Sequence, residues 1–197
     1  PAVLGLESTT EIIKTIVTLT GKPVFEIPTI PPSMPGRRLF NALKNNFRKK
    51  GGEIYWGWQV TGTEKTGTVI EAVSTQSAGW PNSLNARAFI LAAGSFVGGG
   101  LTATRQSIVE NVFNLPVYMP GPREMWFDND YFSLNHGIGK AGIVTDASMR
   151  PLDSPWENIF VCGSILANAE ILKNGCGHGL ALATAHVAAK SCAEYLS

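Results

Sequence analysis

Charge is scarce in this sequence. Only 16% of its 197 residues are Asp, Glu, Lys or Arg, and 16 basic against 15 acidic residues leave a formal net charge of +1. That balance offers no electrostatic footprint for nucleic acid. The one basic run, Arg48-Lys49-Lys50, reads as the solvated C-terminus of a helix, where cations are favoured. No apolar stretch reaches the ~20 residues that span a bilayer, so direct membrane insertion is not expected. Cys162, Cys176 and Cys192 are odd in number and widely spaced, which fits neither a disulfide framework nor a CxxC metal site. No metal site is expected, and a reducing compartment is the simplest reading. The chain opens on Pro1 without a targeting segment and is read as part of a longer polypeptide.

What is present is enough for a sizeable core: 44% of the residues are hydrophobic. The small charged fraction also implies that some surface meets a partner. The chain is organised around 158–189, NIFVCGSILANAEILKNGCGHGLALATAHVAA. A short apolar run, Ile159 to Cys162, is halted by Gly163-Ser164; Gly175, Gly177 and Gly179 then lead into Leu180 to Ala189. This reads as strand, turn, loop, glycine turn and helix. The helix is small and apolar on nearly every side, so it is expected to be buried. Its glycine entry leaves the first N–H groups bare for an anion or an electron-rich ring. A core helix entered through a flexible turn is the other reading.

Upstream, Leu6 to Thr20 has an amphipathic helical spacing stopped by Gly21. Pro28, Pro31, Pro32 and Pro35 then form a linker or a rigid loop presenting a helix from Arg37 to Lys50, with Leu39, Phe40, Leu43 and Phe47 on its apolar face. Strands are expected over Glu53–Thr61, Thr68–Thr75 and Arg87–Ala92, with Gly62 to Gly67 as a hairpin loop. Trp56 and Trp58 then share one strand face, the usual mark of a core stripe. The run Ala88 to Ala93 ends in Gly94-Ser95 just as Ile159 to Cys162 ends in Gly163-Ser164. Two buried strands ending alike suit parallel neighbours whose C-terminal ends face one crevice, the place where open α/β sheets bind ligands; two ordinary strand ends are the alternative. Leu101 to Lys140 is irregular and aromatic, an inserted lobe or cap, and Gly142 to Met149 returns the chain to the sheet.

Taken in order, PTIPPSMPGRRL (28–39), FILAAGSFVGGGL (89–101), GIVTDASMRP (142–151) and the two segments of 158–189 resemble the C-terminal half of the B subunit of anaerobic glycerol-3-phosphate dehydrogenase. More broadly they are similar to fumarate-reductase-type flavoproteins of the two-dinucleotide-fold class. The resemblance covers the chain from about Gly21 onward. It implies an α/β fold, part of a FAD/NAD(P)-binding Rossmann-like domain with a β-meander. Residues 1–100 and 141–197 would be the C-terminal half of the flavin-binding domain, and 101–140 an inserted substrate, cap or interface lobe. It also implies a flavin, FAD or FMN, bordered by Ala93, Gly94, Ser95, Gly163 and Ser164, with Gly175, Cys176, Gly177, His178 and Gly179 at its pyrimidine edge. The implied partners are a second flavin subunit and an iron–sulfur membrane-anchor subunit, which would hold a cytoplasmic protein at the inner face of the membrane. The implied reaction takes sn-glycerol 3-phosphate to dihydroxyacetone phosphate, with electrons passed toward a quinone. The alternatives are a flavin oxidoreductase acting on another substrate and a non-catalytic assembly module.

Two departures from the family stand out. Ser164 replaces the acid that many relatives place after the late glycine, and the βαβ unit with GxGxxG is missing from these residues, so the flavin site is expected to be incomplete and the isolated stretch inactive. Arg37 and Arg38 at a helix start, with Arg105 and Arg150, are candidates for a phosphorylated substrate. His178 is the candidate catalytic base. His136, in the lobe, reads as a surface-loop residue with a substrate-facing position as the alternative, His186 as a satisfied core histidine, and Cys176 as a packing residue with a redox role as the alternative.

Overall fold

The computed structural model describes residues 4–27, 30, 33–77 and 79–197, which fall into two compact units, 1–56 and 57–197. The prolines Pro28, Pro31 and Pro32 lie outside the described residues.

The first unit holds α1 (Thr9–Thr20) and α2 (Met34–Lys49). Ser33 caps α2 by accepting the Gly36 N–H at 3.4 Å, and Pro35 sits in the first turn, where no donor is needed. None of the described residues of this unit is buried. Its tie is polar: Arg38 donates to both Glu26 carboxylate oxygens and, from Nε at 2.7 Å, to the Gly5 carbonyl. The guanidinium holds the Glu26 carboxyl below its ordinary range. Residues 53–58 form no strand, Trp56 is exposed, and the expected strand start at Glu53 is corrected to Gln59, after an irregular stretch and a turn at Trp56-Gly57.

The second unit begins with an antiparallel sheet in the order β1-β2-β3: β1 (Gln59–Thr66), β2 (Val69–Ser77) and β3 (Trp80–Asn85). The expected loop over Gly62 to Gly67 is corrected. β1 runs through it with a register shift at Gly62, and the turn is Gly67-Thr68 alone. Polar residues on an edge strand imitate a loop in sequence, and a strand glycine marks the bulge. β3 carries Pro81, tolerated because it too is an edge.

β4 (Phe89–Leu91) and β7 (Ile159–Val161) pair in parallel, Phe89 opposite Ile159 and Leu91 opposite Val161. Between them, β5 (Leu101–Ala103) and β6 (Ile108–Glu110) form a hairpin inside the stretch read as irregular. Leu101, Ile108, Phe113, Leu115 and Trp126 share one core with Ile70, Leu91, Ile159 and Val161. Residues 101–140 therefore pack into the body of this unit. The buried Glu110 carboxylate accepts the N–H groups of Val112, Phe113 and Leu115 at 2.6, 2.8 and 3.1 Å, which seals the turn after β6. Gly142 to Met149 makes isolated bridges rather than a strand.

After α3 (Ile171–Asn174), α4 (Gly177–Leu196) ends the chain. Its expected burial on all sides is corrected. Only Ala188 is buried, in a cluster with Phe160 and Cys162 on β7 and the loop after it, whereas Leu182 is 60% exposed and His186 lies at the surface. Small residues permit burial on every side, but in this unit only one side meets the β4–β7 pair.

Asn158, fully buried just before β7, joins the two sheets. Its Oδ1 accepts the Ile70 N–H at 3.1 Å, and its Nδ2 donates to the carbonyls of Ile70 at 2.7 Å and Arg87 at 3.2 Å. Asn158→Leu orphans groups of Ile70 and Arg87 at about 1–3 kcal/mol each. Urea unfolding is expected to show a loss of about 2–4 kcal/mol with an unchanged m-value.

Candidate functional site

The two parallel strands deliver their C-terminal turns to one place. After β4 the backbone turns at Gly94 (φ +75°) and folds on itself. A Cβ on Gly98 would stand 2.6 Å from the Ala93 carbonyl oxygen, and one on Gly100 would overlap that of Gly94. Only glycine closes this turn. After β7, Cys162 N–H donates to the Leu91 carbonyl at 3.0 Å, carrying the parallel pairing one residue further. Gly163 (φ +83°) begins a single helical turn, and its N–H donates to Thr184 Oγ1 at 2.9 Å. Thr184 in turn donates to the Leu180 carbonyl at 2.7 Å, so the second turn is pinned to the first half of α4.

These turns border a cavity of about 580 Å³. One wall is Gly94 to Gly98, a second is Ser164 with Ala169 to Lys173, and a third comes from Ser133, Leu134, His136, Ile138, Gly139 and Ala141. Backbone, small side chains and a few large apolar groups make up most of the surface; Lys173 and Glu170, 3.4 Å apart, are its ionic groups. Two non-glycine residues of the second wall region, Asn168 (φ +58°) and Glu170 (φ +39°), are held in the left-handed region, a strained backbone of the kind that gathers at ligand sites.

The third wall is latched by His136. Its Nδ1 accepts the Asp128 N–H at 2.9 Å and its Nε2 lies 3.2 Å from the Tyr131 carbonyl, which together assign the neutral ring with the proton on Nε2. Asp128 accepts the Ser133 hydroxyl at 2.9 Å, and that bond, foremost, holds its carboxyl below the ordinary range.

Comparison with known proteins places this sequence in a family. A family model described as an FAD binding domain matches residues 1–180. The chain belongs to the FAD-binding domain family. Among curated proteins it is 33% identical to the B subunit of the anaerobic glycerol-3-phosphate dehydrogenase of Vibrio vulnificus, over 94% of this chain and 43% of that protein. It is 34% identical to the protein of the same name from Pectobacterium atrosepticum, over 95% of this chain and 44% of that one. These are the relatives to which the sequence motifs point. The chain spans less than half of their length. No solved structure matches it.

For an FAD-binding domain the cavity is well composed. Its volume lies within the range of small-molecule sites, and its mainly apolar walls carry a few polar groups, Ser95, Ser133, His136, Ser164, Glu170 and Lys173. These residues fit the ring system of a flavin.

Of the residues expected from sequence, Gly94, Ser95 and Ser164 line the cavity; Ala93 and Gly163 adjoin those that do. Gly175, Cys176, Gly177, His178 and Gly179 stand outside its lining. Space is open where a Cβ would sit on Gly177 or Gly179. Arg105 is in the exposed β5–β6 turn, and Arg37 and Arg38 belong to the first unit. The Arg150 guanidinium stacks on the rings of Phe160 and Tyr195, 4.8 and 5.1 Å from their centroids, and donates to the Glu157 carbonyl. Sequence reasoning places the third wall only broadly, within the lobe over 101–140, and misses Lys173 and Glu170. A lysine three residues after a glutamate reads as an ordinary helical pair, and only the cavity gives it a role. Among the described residues no group of three or more His, Cys, Asp or Glu side chains could hold a metal ion.

The thiols differ in environment. Burial pushes the Cys162 thiol up; burial also raises that of Cys192, with Arg150 pulling the other way. A raised pKa leaves less thiolate at a given pH. Alkylation with iodoacetamide at neutral pH, mapped by peptide mass, is expected to mark Cys176 first, with Cys192 and then Cys162 following as the pH is raised. Early modification of Cys162 would contradict this burial.

Proposed function

We propose that this chain is the flavin-facing part of a B-type subunit of an anaerobic glycerol-3-phosphate dehydrogenase, taking part in oxidation of sn-glycerol 3-phosphate to dihydroxyacetone phosphate. The single observation behind this reading is the convergence of the Gly94–Gly98 and Gly163–Ser164 turns on one cavity, in a chain whose curated relatives bear that name.

The residues divide the work. Ala93, Gly94, Ser95, Gly163 and Ser164 hold the flat face and edge of the flavin through backbone and hydroxyl groups. The N–H groups of Gly177, His178 and Gly179 at the start of α4 supply positive potential toward its pyrimidine edge. A bound flavin, FAD or FMN, supplies the two-electron and one-electron chemistry. The apolar third wall excludes water, and neutral His136 holds it in place. Lys173, released from Glu170, takes the anionic group of the substrate. The role of residues 101–140 is therefore to wall the site. Contact with a second flavin subunit and an iron–sulfur membrane-anchor subunit, with electrons leaving toward a quinone at the inner face of the membrane, belongs to the same reading.

The test uses the full-length subunit reconstituted with its partners. A charge-assisted contact is worth roughly 1.5–3 kcal/mol. Lys173→Ala is therefore expected to raise the KM for glycerol 3-phosphate about tenfold or more while leaving flavin content unchanged, and Lys173→Arg to restore much of it. An unchanged KM in Lys173→Ala removes this residue from substrate binding. Turnover with dicarboxylates in place of glycerol 3-phosphate would favour the wider fumarate-reductase-like class, and absence of flavin would favour an assembly role.

A further inference from the structure

The ionisable side chains that reach the cavity wall are His136, Glu170 and Lys173. Both ring nitrogens of His136 are committed, Nδ1 to the Asp128 N–H and Nε2 to the Tyr131 carbonyl, so this ring has no lone pair left for a ligand. Ser95, Ser133 and Ser164 are alcohols, and accept a proton no better than the hydroxyl of another alcohol. His178, the base expected from sequence, stands outside the lining. Among the described residues the proton acceptor that remains on this wall is the Glu170 carboxylate.

Glu170 is held at the cavity edge by its main chain. Its backbone lies in the left-handed region at φ +39°, and its carbonyl accepts the Asn174 N–H at 2.9 Å. The side chain is 19% exposed, and among the described residues its carboxylate has one partner, the Lys173 ammonium at 3.4 Å. A site built only to hold an anion gains nothing from a carboxylate beside its cation, because the two anions repel and compete for that cation. The pairing has a use where an anionic substrate must also lose a proton. In sn-glycerol 3-phosphate the phosphate ester sits on the carbon next to the one bearing the reacting hydroxyl, so a cation and a base that are neighbours on one wall can meet both groups.

We infer that Glu170 is the base that takes the hydroxyl proton of the substrate, an assignment that rests on the cavity being the site of glycerol 3-phosphate oxidation. The phosphate draws Lys173 away, and Glu170 is left facing the hydroxyl of the second carbon. That hydroxyl proton passes to the Glu170 carboxylate. The hydride on the same carbon leaves to the bound flavin, and the C–O bond becomes the carbonyl of dihydroxyacetone phosphate. The alcohol is oxidised by two electrons and the flavin is reduced by the same two.

The experiment uses the full-length subunit reconstituted with its partners. A positioned general base contributes about 100- to 10,000-fold in rate. Glu170→Gln is therefore expected to lower kcat about a hundredfold or more, and Glu170→Asp to restore part of it. Flavin content is expected to match the wild type, and the Kd for glycerol 3-phosphate, read by calorimetry, to be unchanged or lower, since Lys173 no longer has a competing anion. A kcat in Glu170→Gln within about threefold of the wild type overturns the assignment, as does a loss of flavin or of glycerol 3-phosphate binding in parallel with the loss of rate, which marks a structural role. Lys173→Ala in the same assays separates the two levels. A raised KM there with kcat intact in Glu170→Gln overturns only the role of Glu170, whereas an unchanged KM overturns the cavity as the substrate site and this assignment with it.

Discussion

The second unit depends on one buried amide. Asn158 is the last residue before β7, and its carboxamide serves the backbone of Ile70 on β2 and of Arg87 just before β4. Without it, the antiparallel sheet would present unpaired groups to the parallel pair, in a place where water does not reach. The depth and direction of β7 follow from that anchor, and so does the point at which Gly163 leaves the strand. The cavity is thus set from its far side: the clamp at the N-terminal ends of the parallel strands fixes where their C-terminal turns emerge.

At those turns the walls consist largely of backbone and small side chains. The Gly94–Gly100 turn closes because Gly98 and Gly100 allow main chain to touch main chain, and the Gly163 turn is held by Thr184 on α4. A site built this way presents N–H and carbonyl groups with little side-chain entropy to lose, which suits a rigid planar ligand. The third wall is made differently. Its loop is stapled by Asp128, Ser133 and His136, and the same loop exposes Tyr131 and Phe132. The pocket thus has backbone on two sides and a polar latch on the third.

The elements legible in the sequence are those with a single dominant signal. α1 and α2 announce themselves by apolar spacing and caps, and β4 and β7 by short apolar runs halted at Gly-Ser. Their parallel pairing is legible because the two runs echo one another. β3 escapes a sequence reading because Trp80-Pro81-Asn82-Ser83 has the composition of a turn, and only the ladder to β2 makes it a strand. β1 reads short because its exposed Glu64–Thr66 segment lacks the alternation of a half-buried strand. The hairpin of β5 and β6 is three residues a side, below what periodicity can reveal. α4 misleads for another reason: its small residues report what could pack against it, and among the described residues only Ala188 of this helix is buried. Lys173 and the third wall depend on tertiary proximity, which no local pattern carries.

The central claim is that the cavity between the Gly94 and Ser164 turns is the seat of a flavin. The direct measurement is the visible absorption of the longer protein that contains this chain, after incubation with FAD or FMN and gel filtration, compared between the wild type and Ser95→Trp, whose indole would fill the cavity. The account predicts a retained flavin band in the wild type and its loss in Ser95→Trp, with the thermal unfolding of the flavin-free forms alike. Full retention of flavin by a correctly folded Ser95→Trp protein would place the cofactor elsewhere and contradict it.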